Sequence, residues 1–167
     1  TSIDHNHRLL ETTNQEYIGY EKLLIATGGT ARKLNVPGVE LSGIFTFQNL
    51  AEAARSAQYI SDKETILVVG GGFIGIEFVE LLSNLGKHVI LVVRESWYWA
   101  HTIAKEGGEH FHDYLQRRAH VLYDTEVKEF HGQHEVTSVT LTNGDTYTID
   151  AAYIGIGISL NHSFVQD

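Results

Sequence analysis

ILVVGGGFIGIEFVELLSNLGKHVILVVRES runs from Ile66 to Ser96, and its reading decides the fold. Thr65–Val69 is a short β-branched run stopped by glycine, which fits a buried strand. Gly70-Gly71-Gly72-Phe73-Ile74-Gly75 follows and satisfies the spacing GxGxxG. The pattern alone is weak, but here it joins a strand to a helical stretch, the context in which it binds a dinucleotide. That helix is expected over Phe73–Leu85, with Ile74, Phe78, Leu81, Leu82 and Leu85 inward and Gly86 as its stop. His88–Val93 reads as a second buried strand. In such a unit Gly70 makes the tight turn, Gly72 lets backbone approach a pyrophosphate, and Gly75 lets helix and strand pack closely. The free N–H groups and the dipole at the helix start favour the diphosphate. The other reading is a glycine-rich turn that holds nothing.

Working outward, Ala104–Arg118 reads as a polar amphipathic helix and His120–Tyr123 as a third strand. The period then changes to two. Glu126–Phe130 and Val136–Thr142 are expected strands, and Asn143–Gly144 a two-residue hairpin turn into Asp145–Ile149. The run AAYIGIGI (Ala151–Ile158) is a last strand. Upstream, Asn49 is a candidate cap for a helix with Leu50, Ala53, Ala54, Ala57 and Ile60 on its inner stripe. KLLIATGG (Lys22–Gly29) reads as a buried strand ending in a glycine turn, and Ala31–Gly43 as a linker. Weak strand signals lie at Arg8–Glu11 and Glu16–Tyr20. Strands alternating with helices imply a parallel sheet. The expected fold is α/β, a doubly wound parallel sheet (Rossmann-like) of about 110 residues with an added antiparallel hairpin.

Composition narrows the function classes. The 167 residues carry 21 Asp and Glu against 12 Lys and Arg, a formal charge of −9. No basic stripe appears, so no nucleic-acid partner is expected. There is no Cys, which excludes thiolate metal sites and Cys nucleophiles within these residues. No apolar run has the length to span a bilayer, so no membrane partner is expected, and the setting reads as cytoplasmic. The absence of Met, even at position 1, suggests an excerpt of a longer protein.

Which dinucleotide is expected depends on the end of the second strand. An acidic side chain there takes the ribose hydroxyls of NAD, whereas an Arg takes the additional phosphate of NADP. The strand ends Val93-Arg94-Glu95, so both signals are present and the choice stays open.

YEKLLIATGG, VPGVELSGIFTFQNLAEA, LVVGGGFIGIE and LTNGDTYTIDAAYIGIGISLN, in this order and spacing, resemble the pyridine nucleotide–disulfide oxidoreductase superfamily. The branch resembled is the one holding ferredoxin and rubredoxin reductases, the flavin part of nitrite reductases and NADH oxidase-like proteins. The resemblance covers nearly the whole chain. It implies an NAD(P)H-binding domain at 45–155, flanked by 1–44 (the end of an FAD-binding domain plus a linker) and by 156–167 (the return toward it). It implies NAD or NADP as a cofactor here, and FAD in the full-length protein. Carried over by position, Thr27, Gly28 and Gly29 would approach FAD through backbone, and Arg32 would lie near the flavin nucleotide. Gly70, Gly72, Phe73, Ile74 and Gly75 would cradle the diphosphate, and Glu77 and Gly157 would lie near the nicotinamide. Val93 stands where NAD-preferring members often carry a ribose-binding Glu, and Arg94 where NADPH-preferring members often carry Arg. Glu95 follows one step later, and the second Arg of the NADPH pattern is missing. The implied activity is hydride transfer from NAD(P)H to FAD, with electrons passed to an acceptor protein or small molecule. A homodimer is left open. The implied catalysis needs no side-chain acid or base, and residues 1–167 alone are expected to be inactive. The competing reading is a non-catalytic NAD(P)-binding sensor or interaction module.

Other constellations point less far. In SWYWAH (Ser96–His101), Trp97 or Trp99 could stack on an adenine, but packing is the more ordinary role for such aromatics. The ten His residues show no HExxH spacing, so surface histidines are the expectation rather than a metal site. Glu106, Glu109 and Asp113 read as a solvated helix face.

Overall fold

The computed structural model describes residues 2–163; the end of the expected return segment, 164–167, lies outside the described residues. Residues 2–30 with 158–163 form one compact unit and 31–157 another. The first contains an antiparallel sheet of β1 (Ser2–Asp4), β2 (Leu9–Glu11) and β3 (Tyr17–Gly19). β4 (Gly29–Ala31) pairs with β13 (Ile158–Leu160). Within this unit Asn161 acts as a tie. It donates its backbone N–H to the Gly28 carbonyl at 3.0 Å and accepts from the Thr30 hydroxyl at 3.0 Å. It also accepts a short bond from the Thr27 hydroxyl on its carbonyl.

The expected buried strand at 22–29 is not one. Leu24 is 88% exposed, Leu23 and Ile25 are exposed too, and the strand begins only at Gly29. An apolar run becomes a strand only where a neighbour offers a ladder, and residues 22–28 pair with no strand among the described residues.

The larger unit is built on a five-stranded parallel sheet, in the order β5 (Ile44–Thr46), β12 (Ala151–Ile154), β6 (Thr65–Val69), β7 (His88–Val92), β8 (Ala119–Leu122). The chain proceeds from β6 outward to β7 and β8, then returns to place β12 on the other flank of β6. That makes a topological switch point between β6 and β12. Register sets Val69 level with both Val92 and Ile154, so the carboxyl ends of these strands form one edge.

Side chains alternate across the sheet. Ile66, Val68, Val89, Leu91 and Tyr153 pack with the helices α1 (Leu50–Tyr59), α2 (Phe73–Asn84) and α3 (Lys105–Leu115). Leu67, Val69, Ile90, Val92 and Ile154 face the other way, against a meander of β9 (Val127–Gly132), β10 (Val136–Leu141) and β11 (Thr146–Thr148). The α/β parallel-sheet fold therefore holds, and the expected hairpin proves to be part of a three-stranded antiparallel layer. It occupies the face on which a symmetrical doubly wound sheet carries further helices, because Val127, Phe130, Val136, Val139 and Leu141 bury a complete apolar surface there. The hairpin turn is also longer than expected. The Gly144 N–H bonds the Leu141 carbonyl at 3.0 Å and only Gly144 has positive φ, at 94°. This is a three-residue loop with a glycine bulge, and Asn143 accepts the Asp145 N–H on its side chain at 3.0 Å.

Residues 31–43 are packed rather than a loose linker. Val36, Val39 and Leu41 lie against the meander-side core, and the Phe130 N–H bonds the Pro37 carbonyl at 2.9 Å. Two helix faces also differ from expectation. Asn49 caps α1, accepting the Glu52 N–H at 3.0 Å, and Ile60 is buried as expected, but Leu50 is 89% exposed while Ser56 and Tyr59 face inward. On α2 the buried residues are Gly75, Phe78, Val79 and Leu82, while Ile74, Leu81 and Leu85 are exposed. An all-round apolar helix does not say which face is inner; Gly75, the residue that permits close approach, sets it.

At the opposite edge of the sheet, Asp150 binds β6 to β12. Its carboxylate accepts the Glu64 and Thr65 N–H groups at 3.0 and 2.8 Å, and its own N–H bonds the Thr65 carbonyl at 2.8 Å. Asp150→Ala is expected to cost about 2 kcal/mol, and Asp150→Asn about half of that. A urea midpoint unchanged in both variants would contradict this role.

Candidate functional site

The carboxyl edge of the sheet opens into a cleft of about 460 Å³. Gly70–Gly72 after β6 and Gly155–Gly157 after β12 form its two lips, on the switch point. Val92, Arg94 and Glu95 close the β7 side, Trp99–Thr102 one end, and Thr125–Val127 with Arg32 and Leu34 the rest.

The loop glycines do different jobs, and the geometry separates them. Gly70 has φ +114°, and a Cβ there would collide with the Gly155 carbonyl oxygen. A Cβ on Gly75 would collide with the Gly70 carbonyl, so α2 can cross β6 this closely only with glycine. Gly71 sits on Val93, whose Cγ1 would be 2.8 Å from an added Cβ. Gly72 is unlike these, with only the Gly155 oxygen, 4.0 Å away, near its Cβ position. Its bare side faces open space, which is what an approaching diphosphate needs.

Gly72 is also the N-cap of α2. No side chain bonds the first-turn N–H groups, and no acidic residue lies in that turn. Uncapped N–H groups and the positive end of the helix dipole make a ready anion site. The loop is held from below by Tyr98, which is fully buried and donates its hydroxyl to the Gly72 carbonyl at 3.0 Å. Burial, and then the neighbouring Tyr123, push the Tyr98 phenol well above its ordinary range, so it stays a donor. Tyr98 in turn packs on Trp99 and Phe111, with ring centroids 4.8 and 5.4 Å away.

The SWYWAH segment is thus a packed ledge. The Trp97 indole N–H bonds the Ile103 carbonyl at 3.2 Å, and its ring lies over Gly108 of α3. Trp99 stands on Phe73, centroids 4.6 Å apart, and shows a side of itself to the cleft. Trp99 has φ +56°, a backbone conformation a bulky residue adopts only where packing enforces it.

The remaining sequence candidates are placed as follows. Arg94 and Glu95 line the cleft and pair with each other at 3.1 Å, and Glu95 lies 3.6 Å from His101 as well. Val93 is fully buried beneath Gly71 and presents no side-chain surface to the cleft. Phe73 and Ile74 are exposed on the first turn of α2, and Glu77 is exposed on the next. Gly157 lines the cleft with φ +95°, and its carbonyl accepts the Arg32 N–H at 3.0 Å. Arg32, expected near a flavin nucleotide, lines this same cleft. Thr27, Gly28 and Gly29 belong to the smaller unit. Tyr98, His101 and Thr125–Val127 were not singled out from the sequence. No spacing rule tells which aromatic of a cluster goes inside, and the last segment reaches the cleft only because the meander folds over the sheet. Among the described residues, no group of three or more His, Asp or Glu is positioned to hold a metal ion. No helix there is long and apolar enough to cross a membrane.

Comparison with known proteins agrees with this geometry. The chain is 34% identical over 157 residues to the 5,5′-dehydrodivanillate O-demethylase ferredoxin reductase subunit of a Sphingobium species, covering 91% of this chain and 37% of that protein. It is 26% identical over 156 residues to the ferredoxin–NAD(+) reductase component of the biphenyl dioxygenase system of Paraburkholderia xenovorans, covering 93% and 38%. The crystal structure of the ferredoxin reductase for the CYP199A2 system from Rhodopseudomonas palustris superposes with a TM-score of 0.87 at 30% identity, covering 98% of this chain and 41% of that one. The chain therefore spans about two-fifths of the length of these relatives. The family described as pyridine nucleotide-disulphide oxidoreductase, whose members use FAD and NAD(P)H, matches residues 1–167 throughout. The chain therefore belongs to this family.

Proposed function

We propose that the unit 31–157 binds NAD(P)H within a flavoprotein reductase. The nicotinamide supplies a hydride to FAD, and the electrons go on to an acceptor, for which an electron-carrier protein of the ferredoxin or rubredoxin class is the best candidate. The observation that supports this most is the opening at Gly72 beside uncapped N–H groups of α2. These groups bind and orient the diphosphate. Gly155–Gly157 forms the opposite lip, and Trp99 with Phe73 walls the end of the cleft. Glu77, one turn along α2, and Gly157 flank the nicotinamide in this reading. Thr27, Gly28 and Gly29 approach FAD by backbone, and Arg32 serves the nucleotide cleft that it lines. The similarity to ferredoxin reductases favours this reading over a nucleotide sensor.

Anaerobic addition of NADH or NADPH to the FAD-loaded full-length protein tests the proposal. The expected result is bleaching of the flavin absorbance at a rate that saturates with nucleotide. Tight nucleotide binding without bleaching would favour the sensor. The 167-residue chain alone is expected to bind nucleotide without oxidising it.

A further inference from the structure

The amino edge of the parallel sheet, opposite the nucleotide cleft, carries a second concave site of about 320 Å³. Strand alternation puts His88, Ile90 and His120 on the face that the meander covers elsewhere. At this edge no residue of β9, β10 or β11 lines the pocket, and His88 and His120 are exposed. Tyr147 of β11 meets the His120 ring edge-on, with centroids 5.8 Å apart. Ile90 gives the pocket an apolar floor, and Lys87, Arg117 and Arg118 wall it from the turns that enter β7 and β8. The five residues of β7 separate it from the nucleotide cleft by about 15 Å.

The cations here are anchored by neutral groups, so their charge is not cancelled. The Lys87 ammonium donates to the Ser61 and Lys63 carbonyls at 3.1 and 2.7 Å. Arg118 donates to the Tyr114 carbonyl at 3.2 Å, with its guanidinium 3.9 Å from the centre of the Tyr114 ring. Arg117 is exposed, and its side chain makes no hydrogen bond or ion pair among the described residues. No Asp or Glu of the described residues lines the pocket. The two carboxylates bonded to lining residues are already engaged, Asp113 by the Gln116 amide and Asp150 by the Glu64 and Thr65 N–H groups. Three of the chain's 12 Lys and Arg thus meet around one hollow, in a molecule of formal charge −9. Fixed, uncompensated cations in a concave site attract anions, and a guanidinium suits carboxylate and phosphate equally. The imidazoles of His88 and His120 add N–H donors, and Ile90 offers contact to an apolar body. We propose that the amino edge of the sheet is a second ligand site, for a small organic anion that carries carboxylate or phosphate groups on an apolar body. Arg117 is its adaptable arm, and Lys87 and Arg118 are its fixed charges. The site is independent of the nucleotide reading above.

Calorimetric titration of the chain with phenyl phosphate, isophthalate and inorganic phosphate, with NADH present in excess to fill the nucleotide cleft, tests this. Phenyl phosphate or isophthalate is expected to bind at millimolar concentration, about tenfold more tightly than inorganic phosphate, which lacks the apolar body. The tighter of the two tells whether the site serves a phosphate ester or a carboxylate. Arg117→Glu is expected to weaken that binding about tenfold or more. Arg55→Glu, the same charge change at an exposed position of α1, is expected to alter it less than twofold. Binding that vanishes when NADH is present would place the anion on the glycine loop and overturn the inference. Equal losses in the two variants would reduce the effect to overall charge, and equal binding of inorganic phosphate would mean an adventitious ion only; either result overturns it. Hexaglutamate binding about tenfold more tightly than both organic anions would make the patch a surface for an acidic protein segment and overturn the small-molecule assignment. No binding of any probe at about 10 mM would overturn it outright.

Discussion

Gly72→Ala is expected to lower NAD(P)H affinity about 100-fold while leaving the unfolding midpoint nearly unchanged. A methyl group at Gly72 meets nothing closer than the Gly155 oxygen at 4.0 Å, so the fold has room for it. The space it fills is the space a diphosphate must enter to reach the N–H groups of α2. Gly75→Ala is expected to behave in the opposite way. Its Cβ would strike the Gly70 carbonyl, forcing α2 away from β6, and the cost is about 3 kcal/mol of stability, with binding lost as a consequence. Urea denaturation and calorimetry on the two variants separate these outcomes. A destabilising Gly72→Ala together with a harmless Gly75→Ala would contradict the assignment of roles within the loop.

The second large effect is expected at Tyr98. Its ring fills the space beneath the glycine loop and its hydroxyl fixes the Gly72 carbonyl. Tyr98→Ala removes a fully buried aromatic and is expected to cost about 4 kcal/mol. Tyr98→Phe keeps the ring and loses only the hydrogen bond, for about 1 kcal/mol. The Phe variant is the more informative, because a loop no longer pinned at Gly72 must be ordered by the ligand. Its nucleotide affinity is expected to fall about fivefold, a part of the binding energy being used for that ordering. Unchanged affinity and unchanged stability in Tyr98→Phe would show that the hydroxyl plays no part in holding the loop.

The glycine spacing, the strand before it and the helix after it were legible in the sequence because each is set by local chemistry. A β-branched run, a tight turn and a cap are decided within a few residues. The same holds for the strands Thr65–Val69 and Val136–Leu141, whose observed bounds meet or nearly meet the expected ones. The inner face of α2 was legible only at Phe78 and Leu82, because apolar residues surround the helix and only contact with β6 chooses among them. The stripe of α1 was likewise legible at Ile60 and not at Leu50. Ser56 is buried there with its hydroxyl bonded to the Ala53 carbonyl, so a polar residue takes an inner position that an apolar pattern does not mark.

The sequence by itself therefore determined an α/β chain with a dinucleotide loop after its central strand, and placed both an acid and a base at the end of the next. Tertiary structure alone decided what surrounds that loop. It brought Gly155–Gly157 across from β12, raised Tyr98 beneath Gly72, and set His101 beside a carboxylate that already had a partner. The reason is one of range. Turn geometry and strand propensity act between neighbours along the chain, whereas the cleft is made by parallel strands whose pairing joins residues far apart in sequence.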